Sequence, residues 1–375
     1  MNYGNPMVKK KILIVSASFY PENSPRSFRT TELAKEFSRQ GHFVMVITPR
    51  ISEFHDEFEK NNNLIIKDLG LQKWKSIKLK GTGINRLIRR FILRFSKLLF
   101  EYPDIQLFWM VKKALENEKD YDLLISIAVP YPVHWGVAAS RSEKHSIAKT
   151  WVADCGDPYV GQENDSFKVP FYFSWVEKWF MRKTDFISVP TNGAIAAYFP
   201  EFHFKIKVIP QGYRFEDYQF NTSKLNNSRP TFAYAGMFIP GRRDPSEFIQ
   251  YLNTVDIDFE FHIYTQTPQF VKGINPDLMK KIFIHDPVPR KELMNILSSM
   301  DFLVNFENVG NRQKPSKLID YLILNKPVLS IKTGDLNKNT VNEFLSGNYD
   351  GQMIIEDPDQ YRIENICNKF IELTN

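Results

Sequence analysis

The feature that most constrains this chain is a series of short, almost wholly apolar segments separated by stretches with helical spacing. Near-continuous apolar strands that alternate with helices are typical of parallel sheets buried on both faces. The first series predicts strands at 12–17, 43–48, 123–128, 149–153, 186–190 and 207–210, and the second at 231–235, 259–264, 282–285, 302–306, 328–331 and 353–355. The polar stretch 221–229 separates the two series. The sequence therefore predicts an α/β chain with two Rossmann-like domains, each a doubly wound parallel sheet.

The length and the charge distribution fit two domains with different partners. The 375 residues suffice for two hydrophobic cores, and we expect domains at 1–215 and 216–358. Residues 1–215 carry 32 Lys and Arg against 22 Asp and Glu, whereas residues 216–375 carry 17 against 21. A basic first half points to an anionic partner, which can be nucleic acid, an anionic membrane surface or a phosphorylated substrate.

Several absences narrow the functional class. Cys155 and Cys367 provide neither a disulfide framework nor metal-ligand spacing. No run approaches the ~20 apolar residues of a membrane-spanning helix or resembles a signal-peptide core, so the compartment we expect is the cytoplasm. The first strand is followed by no G-x-G-x-x-G fingerprint, and we find no G-x-S-x-G elbow or Walker loop. These absences argue against dinucleotide dehydrogenases, α/β-hydrolases and P-loop NTPases.

Residues 73–97 form a basic amphipathic segment without any acidic residue. Lysines and arginines interleave there with apolar residues at helical spacing, a pattern typical of helices that lie on anionic lipid headgroups. The alternative is a domain helix with a solvated basic face. Nucleic acid is less favoured because no recognised binding motif accompanies the charge.

The segment 311–329 is the most informative stretch of the second domain. Pro315 suits the first turn of a helix, where its missing N–H costs nothing, and a helix start with Ser316, Lys317 and a positive dipole end can bind a pyrophosphate. Asp320 lies about 6 Å further along the helix axis than Ser316. Its carboxylate could accept hydrogen bonds from ribose hydroxyls there. The alternative is a helix that begins with proline by chance and carries one exposed acid.

A second informative segment directly follows the first strand of the second domain. Gly236 permits a ligand to approach the backbone closely, and Arg242 and Arg243 can neutralise a diphosphate through forked hydrogen bonds. Together the two segments predict a sugar-nucleotide site in the second domain.

The order and spacing of these motifs resemble those of the GT-B retaining glycosyltransferases of the family-4 type, especially bacterial polysaccharide enzymes. The matching stretches span most of the chain and include KILIV at 11–15, FYPENSPRSFR at 19–29, GHFVMVIT at 41–48, KVIPQGY at 207–213 and QKPSKLIDYL at 313–322. The resemblance implies a GT-B fold, in which the two Rossmann-like domains face each other across a cleft. It also implies that the second domain binds a nucleotide-diphosphate sugar, that the first binds the acceptor, and that 359–375 forms a helix crossing back to the first domain.

The resemblance assigns roles within the donor site. Arg242 matches the basic position that contacts the donor diphosphate, with Arg243 as its neighbour or substitute. Asp320 matches the second glutamate of the family's E-x7-E pattern, the one that binds ribose. The first glutamate of that pattern falls at Arg312, where this chain has no acid. The missing acid bears on how the hexose is recognised.

Two residues of the first domain match segments that carry family roles. His134 lies in a proline-rich segment after a strand end, and its imidazole could stabilise the leaving phosphate or a sugar hydroxyl. Its alternative role is that of a packed histidine at a helix start. Asp157 belongs to an Asp-x-x-Asp-Pro segment and is the candidate for contact with the acceptor hydroxyl or for the base, whereas Asp154 is expected to be structural. Turn capping is the alternative for both aspartates.

We therefore predict a cytoplasmic, retaining hexosyltransferase that moves a sugar from a nucleotide-diphosphate sugar to a lipid-linked or saccharide acceptor in surface polysaccharide biosynthesis. Arg242 and Lys317 would stabilise the leaving diphosphate, so neither a metal nor another cofactor is expected. The segment 73–97 would hold the first domain on the inner face of the cell membrane, near a polyprenyl-diphosphate-linked acceptor, and nucleic acid is not expected as a partner. The alternatives are a catalytically silent GT-B protein that binds a glycan or partner enzyme, and a sugar-nucleotide epimerase.

Overall fold

Each of the two series of apolar segments forms a parallel sheet of its own. The computed structural model describes residues 8–75, 83–162, 168–218, 227–307, 317–355 and 357–375, with the backbone alone for 83–85 and 317. The chain divides into two units, one comprising Met1–Gly212 and Ile363–Asn375 and the other Tyr213–Arg362. The predicted fold class, an α/β chain with two doubly wound parallel sheets, is confirmed.

The first unit contains a seven-stranded sheet in the order β3-β2-β1-β4-β5-β6-β7. Its strands are β1 (Lys11–Ser16), β2 (Phe43–Thr48), β3 (Ile65–Asp68), β4 (Tyr121–Ala128), β5 (Ala148–Cys155), β6 (Phe186–Val189) and β7 (Ile206–Val208). The helices between them are α1 (Pro25–Arg39), α2 (Ser52–Asn62), α3 (Gly83–Phe100), α4 (Gln106–Ala114), α5 (Pro132–Ser140) and α6 (Tyr172–Lys183).

Helix α1 shows how the local sequence sets the ends of an element. The Ser24 side chain accepts a hydrogen bond from the backbone N–H of Ser27, and Pro25 occupies the first turn. Beyond the last turn Gly41 adopts a φ of 83°, and its N–H donates to the carbonyl of Ser38 at 2.9 Å. Glycine tolerates this left-handed conformation, so the helix ends there and β2 can begin.

The second unit contains a five-stranded sheet in the order β10-β9-β8-β11-β12. The strands are β8 (Thr231–Ala235), β9 (Glu260–Tyr264), β10 (Ile282–His285), β11 (Phe302–Phe306) and β12 (Val328–Ile331), and the helices are α7 (Ser246–Leu252), α8 (Arg290–Ser298), α9 (Lys317–Leu324) and α10 (Lys338–Leu345).

The last helix, α11 (Ile363–Glu372), packs in the first unit. Its buried residues Ile363, Ile366, Cys367 and Phe370 join the apolar cluster on one face of the seven-stranded sheet. The Phe370 ring meets that of Phe37 on α1, with 6.4 Å between centroids.

The structure corrects the strand predictions at two places. The segment 353–355 is not a strand: its tie to the sheet is a hydrogen bond from the Met353 N–H to the carbonyl of Val328. Strand β3 was not predicted, and it pairs with β2 at the edge of its sheet. The basic segment 73–97 contains the start of α3, but the helix begins only at Gly83 and continues to Phe100.

Candidate functional site

The carboxyl end of β8 lies at the topological switch point of the second sheet. β8 pairs with β9 on one side and β11 on the other, and successive strands extend outward from each. Ligands of open α/β sheets bind outside the strand ends at such a point. Gly236 follows β8 with a φ of 149°, and a Cβ there would lie 3.0 Å from the hydroxyl of Tyr234. The position therefore favours glycine and brings bare backbone to this edge.

Arg242 and Arg243 lie in a turn over the same edge. The N–H of Ile239 donates to the carbonyl of Arg243, and that of Arg242 to the carbonyl of Ile239, both at 3.0 Å. Thr333, after β12, donates its hydroxyl to the carbonyl of Arg242. Because β11 lies between β8 and β12, this contact holds the turn across the end of β11. Arg243 lies beside the phenol of Tyr234, whose pKa burial raises to about 12.

Asp320 lies in the first turn of α9, with its side chain 18% exposed. Arg290, the first residue of α8, donates to Oδ1 of Asp320 from Nε at 3.1 Å and from Nη2 at 2.5 Å. The same guanidinium donates to the hydroxyl of Tyr218 and lies 4.0 Å from the ring centroid of Tyr213. Burial raises the pKa of the Asp320 carboxyl, and Arg290 opposes that rise. The Asp320 side chain is thus fixed in position by the positive charge of Arg290, which belongs to another helix, α8.

Part of the predicted donor site lies outside the described residues. This applies to Pro315 and Ser316, and to Arg312, which stands at the position of the missing acid. Of Lys317, only the backbone at the start of α9 is described. The pyrophosphate contacts expected of these residues stay predictions.

In the first unit, Asp157 follows β5 and lies near the start of α1. Its Oδ2 is 3.9 Å from Nη2 of Arg26, and its side chain is 40% exposed. The hydroxyl of Tyr131 donates to the Asp157 carbonyl at 2.6 Å. A Cβ on Gly156 would lie 1.8 Å from the Arg26 guanidinium, so glycine is what lets that side chain reach Asp157. The start of α1 and the loop after β5 thus bring a cation and a carboxylate together at the accessible carboxyl edge.

Asp154 is the buried member of the same segment. Arg29 donates to both of its oxygens, at 3.0 and 2.9 Å, and the Ser188 hydroxyl donates at 2.6 Å. Burial alone would raise the pKa of Asp154, but Arg29 and Ser188 hold it below its ordinary value. Arg29 also donates to the backbone carbonyls of Ile209 and Pro210. This network joins α1, β5 and β6, so the role of Asp154 is structural.

His134 is fully buried in α5 and does not reach the edge where Asp157 lies exposed. Its Nδ1 is 2.8 Å from the hydroxyl of Ser126, its Nε2 is 3.5 Å from the sulfur of Cys155, and its ring stacks on Phe180. Burial lowers its pKa to about 3. A neutral imidazole with both nitrogens engaged inside the core is not placed to contact a phosphate or a sugar, so this arrangement corresponds to the packed-histidine alternative.

A cavity of about 270 Å³ opens at the carboxyl ends of β1 and β2. It is lined by Ala17, Phe19, Tyr20, Pro21, Glu22, Thr48, Pro49, Ile51 and His55. The Thr48 hydroxyl is buried and has no hydrogen-bond partner among the residues the structure describes. The cavity therefore combines aromatic walls with an unsatisfied hydroxyl, a combination that suits a polar ligand with an apolar face.

The sequence reasoning missed Arg26 and Thr48, and it missed the pairing of Arg290 with Asp320. Arg26 lies within the FYPENSPRSFR stretch that carries the resemblance, so its position after the first strand was a usable signal. No local pattern marks Arg290 as the partner of Asp320, because the two residues meet only when α8 packs on α9.

Two general features concern metals and membranes. Within the described residues, no group of three or more His, Cys, Asp or Glu side chains is arranged to hold a metal ion. No helix in the same part of the chain combines the length and the apolar character needed to cross a bilayer.

Comparison with known proteins identifies related families and folds. A family model described as Glycosyltransferase Family 4 matches residues 28–216. No curated protein sequence matches the chain. Many solved structures match over nearly the whole chain, and three of them, all low in sequence identity, are described next.

A glycosyltransferase from Rickettsia africae matches with a TM-score of 0.56 and 12% identity over 98% of this chain and 94% of its own. The lipopolysaccharide outer core galactosyltransferase WaaB gives 0.58 and 11% over 96% and 99%. A TarM mutant from S. aureus, solved with Fondaparinux, alpha-GlcNAc-glycerol and UDP, gives 0.57 and 13% over 98% and 100%. These likenesses confirm the predicted GT-B fold class.

Proposed function

The chain belongs to glycosyltransferase family 4, and on that premise we propose that it transfers a hexose from a nucleotide-diphosphate sugar to a lipid-linked or saccharide acceptor, with retention of the anomeric configuration. The observation that carries the proposal is that the second unit has Gly236 and the Arg242–Arg243 turn directly after β8 and holds Asp320 in the first turn of α9 through Arg290. A bare backbone, two cations and a held carboxylate are the groups that a nucleoside diphosphate requires.

The Arg290–Asp320 pair supports a role for Asp320 in binding ribose. Both hydrogen bonds from Arg290 end on Oδ1, which leaves Oδ2 as the oxygen for a ribose hydroxyl. A carboxylate fixed in advance loses little conformational freedom when it binds, so its hydrogen bond to ribose contributes more to affinity. The guanidinium also stabilises the charged form of the carboxylate, which is the better acceptor.

The proposed reaction needs orientation and charge stabilisation more than proton transfer. In a retaining transfer, the acceptor hydroxyl attacks the face that the diphosphate leaves, and the departing phosphate helps to remove its proton. We assign stabilisation of the leaving diphosphate to Arg242, with Arg243 beside it, and to Lys317 at the start of α9 together with Pro315 and Ser316, which precede it in the sequence. This assignment requires no metal ion. His134 has no role in this assignment, because its imidazole is fully buried.

The acceptor side of the proposal rests on the carboxyl edge of the first sheet. Asp157, with Arg26 beside it, can orient a sugar hydroxyl. Sugars pack against aromatic rings and hydrogen-bond through their hydroxyls, so the cavity with Tyr20 and Thr48 can take part of a saccharide. WaaB is a lipopolysaccharide outer core galactosyltransferase, and the TarM mutant is in complex with Fondaparinux, alpha-GlcNAc-glycerol and UDP. By fold-level analogy, we propose a surface polysaccharide as the product.

Helix α3 supports a further part of the proposal. We propose that the first unit lies on the anionic inner face of the cell membrane. Its apolar residues Leu87, Ile88, Phe91, Ile92 and Phe95 are all about half exposed or more. Arginines and Lys97 occupy the other side of the helix, and no acid interrupts it. Such a helix gains free energy by burying its apolar face among lipid headgroups while its cations pair with anionic lipids.

One alternative keeps a specific observation in its favour. Asp320 stands where the family has the longer glutamate, and it is already paired with Arg290. The first acid of the family's E-x7-E pattern is replaced by Arg312. A protein with these features could bind a nucleotide or glycan without turnover.

The test is titration calorimetry with UDP, GDP, ADP and their sugar forms. We expect one nucleotide to bind selectively and Asp320→Ala to weaken it about tenfold or more. Asp335→Ala is the matched control, since Asp335 is an exposed acid of the same unit that pairs only locally with Lys332. Failure of a folded sample to bind any of these nucleotides would sink the transferase proposal. Binding without release of nucleotide from the sugar form, with membrane extracts supplied as acceptor, would favour the silent protein.

A further inference from the structure

Four exposed aromatic side chains surround the carboxyl-terminal end of α3. They are Trp74, Trp109, Phe171 and Trp175, called the aromatic patch below, and Phe171 and Trp175 are the most exposed at 74% and 69%. Large aromatic rings bury more area than most side chains, and grouped exposure of this kind marks an interaction site. The proposed function uses none of these four residues.

The contacts of residues 99–102 make the patch continuous with α3. The Tyr102 ring stacks on Trp74 at 5.9 Å, and Trp74 meets Trp109 edge-on at 6.1 Å. The hydroxyl of Tyr172, the neighbour of Phe171, donates to the carbonyl of Leu99. Both halves of the patch are thus attached to the end of one helix.

The rings of the patch sit on a rigid base. The backbone N–H of Trp74 donates to Oε1 of Gln106 at 3.0 Å, and Nε2 of Gln106 donates back to the Trp74 carbonyl at 3.2 Å. Phe171 and Trp175 pack edge to face, with 5.8 Å between centroids, at the start of α6. Their neighbour Phe173 is buried against Trp135. These anchors hold the exposed rings in place before any partner arrives, which lowers the entropy cost of binding.

Charge decides which partner the patch suits. The apolar face of α3 is flanked by basic residues, and the first acid beyond the helix turns inward: Glu101 is buried and accepts a hydrogen bond from Tyr159 at 2.9 Å. A second copy of the chain would set these cations against identical cations. An anionic lipid surface would neutralise them, and tryptophan favours the depth at which headgroups meet acyl chains.

We propose that the aromatic patch is a second membrane anchor, which inserts at the headgroup boundary of an anionic bilayer and fixes the tilt of the first unit. The inference rests on the membrane docking of α3 in the proposed function, and it adds residues from α4, α6 and the segment before α3. With α3 alone, the unit could roll about the helix axis. A second point of contact at the helix end removes that freedom and gives the accessible edge of β1 and β5 a constant orientation to the bilayer.

The first experiment measures partition of the full chain onto vesicles of phosphatidylethanolamine and phosphatidylglycerol. We expect Phe171→Ser/Trp175→Ser to lower the partition coefficient at least tenfold, because two large apolar side chains no longer enter the interface. The matched control is Met279→Ser/Ile354→Ser, which removes two equally exposed apolar side chains from the second unit. Circular dichroism checks that each variant is folded.

A second experiment reads contact with lipid directly, through quenching of tryptophan fluorescence by brominated lipids. We expect quenching of the wild type and a smaller quenched fraction in Trp175→Phe, which keeps the apolar ring but removes the fluorophore. Unchanged partition of the serine variant and unchanged quenching, with normal vesicle binding by the wild type, would overturn the anchor and leave α3 docking intact.

Two other outcomes also decide the matter. Absence of vesicle binding by the wild type would overturn α3 docking and the anchor together, without touching the nucleotide measurement. Self-association in the absence of lipid, lost in the serine variant, would show an interface between copies and overturn the membrane anchor.

Discussion

At the scale of single residues, His134 shows how burial separates a structural role from a catalytic one. Its ring fills a closed site between Ser126, Cys155 and Phe180. A residue in that position contributes to folding through packing and hydrogen bonding. A group that touched the reacting atoms would instead affect the chemical step.

We expect His134→Ala to lower the free energy of unfolding by about 2–4 kcal/mol, from the cavity and from the partner atoms left unpaired. The kcat of the folded enzyme should stay within about twofold, whereas loss of a general acid or base costs about 10²–10⁴. Urea unfolding and steady-state assays well below the melting temperature check both values. Val133→Ala, at the adjacent buried position, is the control for cavity formation alone. A hundredfold loss of kcat in a stable variant would restore His134 as a catalytic residue.

The Arg290–Asp320 pair predicts an asymmetry between single and double variants. Arg290→Met leaves a largely buried carboxylate unpaired and should cost about 3–5 kcal/mol of unfolding free energy. Adding Asp320→Asn removes the unpaired charge, so the double variant should recover part of that stability. Nucleotide affinity should not recover, because the carboxylate is gone. Urea unfolding and calorimetry on the same samples test this, and a double variant no more stable than Arg290→Met would contradict the pairing.

The residues also show what a sequence can and cannot reveal about a site. The helix start at Pro315 and Ser316 was sufficient to predict Asp320 on a helix, about one turn beyond Ser316, and Gly236 stood out because it directly follows a strand. The role of His134 could not be judged, because a histidine after a strand end looks accessible until α6 brings Phe180 over it. Arg290 and Asp320 are thirty positions apart, so their pairing depends on tertiary packing that no local pattern contains.

At the scale of elements, α6 carries a carboxyl group that makes stability depend on pH. Glu177 is buried, its Oε2 accepts from the Val160 N–H at 3.3 Å, and its Oε1 has no partner among the described residues. Burial raises its pKa to about 8, against about 4.3 in an unfolded chain. Between those pH values the folded state keeps a proton that the unfolded chain has released. The free energy of unfolding therefore falls as pH rises through that window.

We expect Glu177→Gln, which stays neutral, to match the wild type at pH 4.5 and to exceed it by about 2–5 kcal/mol at pH 8.5. Urea unfolding at the two pH values measures this difference, and terms common to both proteins cancel. Glu201→Gln is the control, since Glu201 is half exposed and its pair with Lys178 should contribute little. A constant difference between Glu177→Gln and the wild type at both pH values would contradict the buried-acid account.

The elements themselves were predictable to different degrees. Long apolar runs gave the central strands because a strand buried on both faces must be apolar throughout. Edge strand β3 was missed because it contains Lys67 and Asp68. A strand at the edge of a sheet is partly exposed, so it can include charged residues and need not be apolar throughout. The run 353–355 is apolar but lies against β12 through a single backbone hydrogen bond at Met353, so its apolar character did not indicate a strand.

At the scale of the whole molecule, the alternation of strands and helices predicted two doubly wound sheets, but not which unit each helix stabilises. The four buried clusters of apolar residues each belong to one unit only. Helix α11 follows the second unit in sequence and packs in the first. The family resemblance supplied that expectation; contacts such as Phe37 with Phe370 supply the physical reason.

Separate cores predict that the two units respond separately to local changes. We expect Phe370→Ala to cost about 3–5 kcal/mol and to lower only the thermal transition of the first unit, by about 2–4 °C for each kcal/mol. Phe344→Ala, at a fully buried position packed on Phe302, should lower only the transition of the second unit. A bound nucleotide at a hundredfold excess over its Kd should stabilise the second unit by about 2.7 kcal/mol.

Scanning calorimetry of the full chain distinguishes these effects. Phe370→Ala with nucleotide should move the two transitions in opposite directions, because α11 completes the core of one unit and the nucleotide binds the other. A single transition that shifts as a whole with either variant would contradict the prediction. It would mean that the units unfold cooperatively, and that nucleotide binding in the second unit also stabilises the packing of α11 in the first.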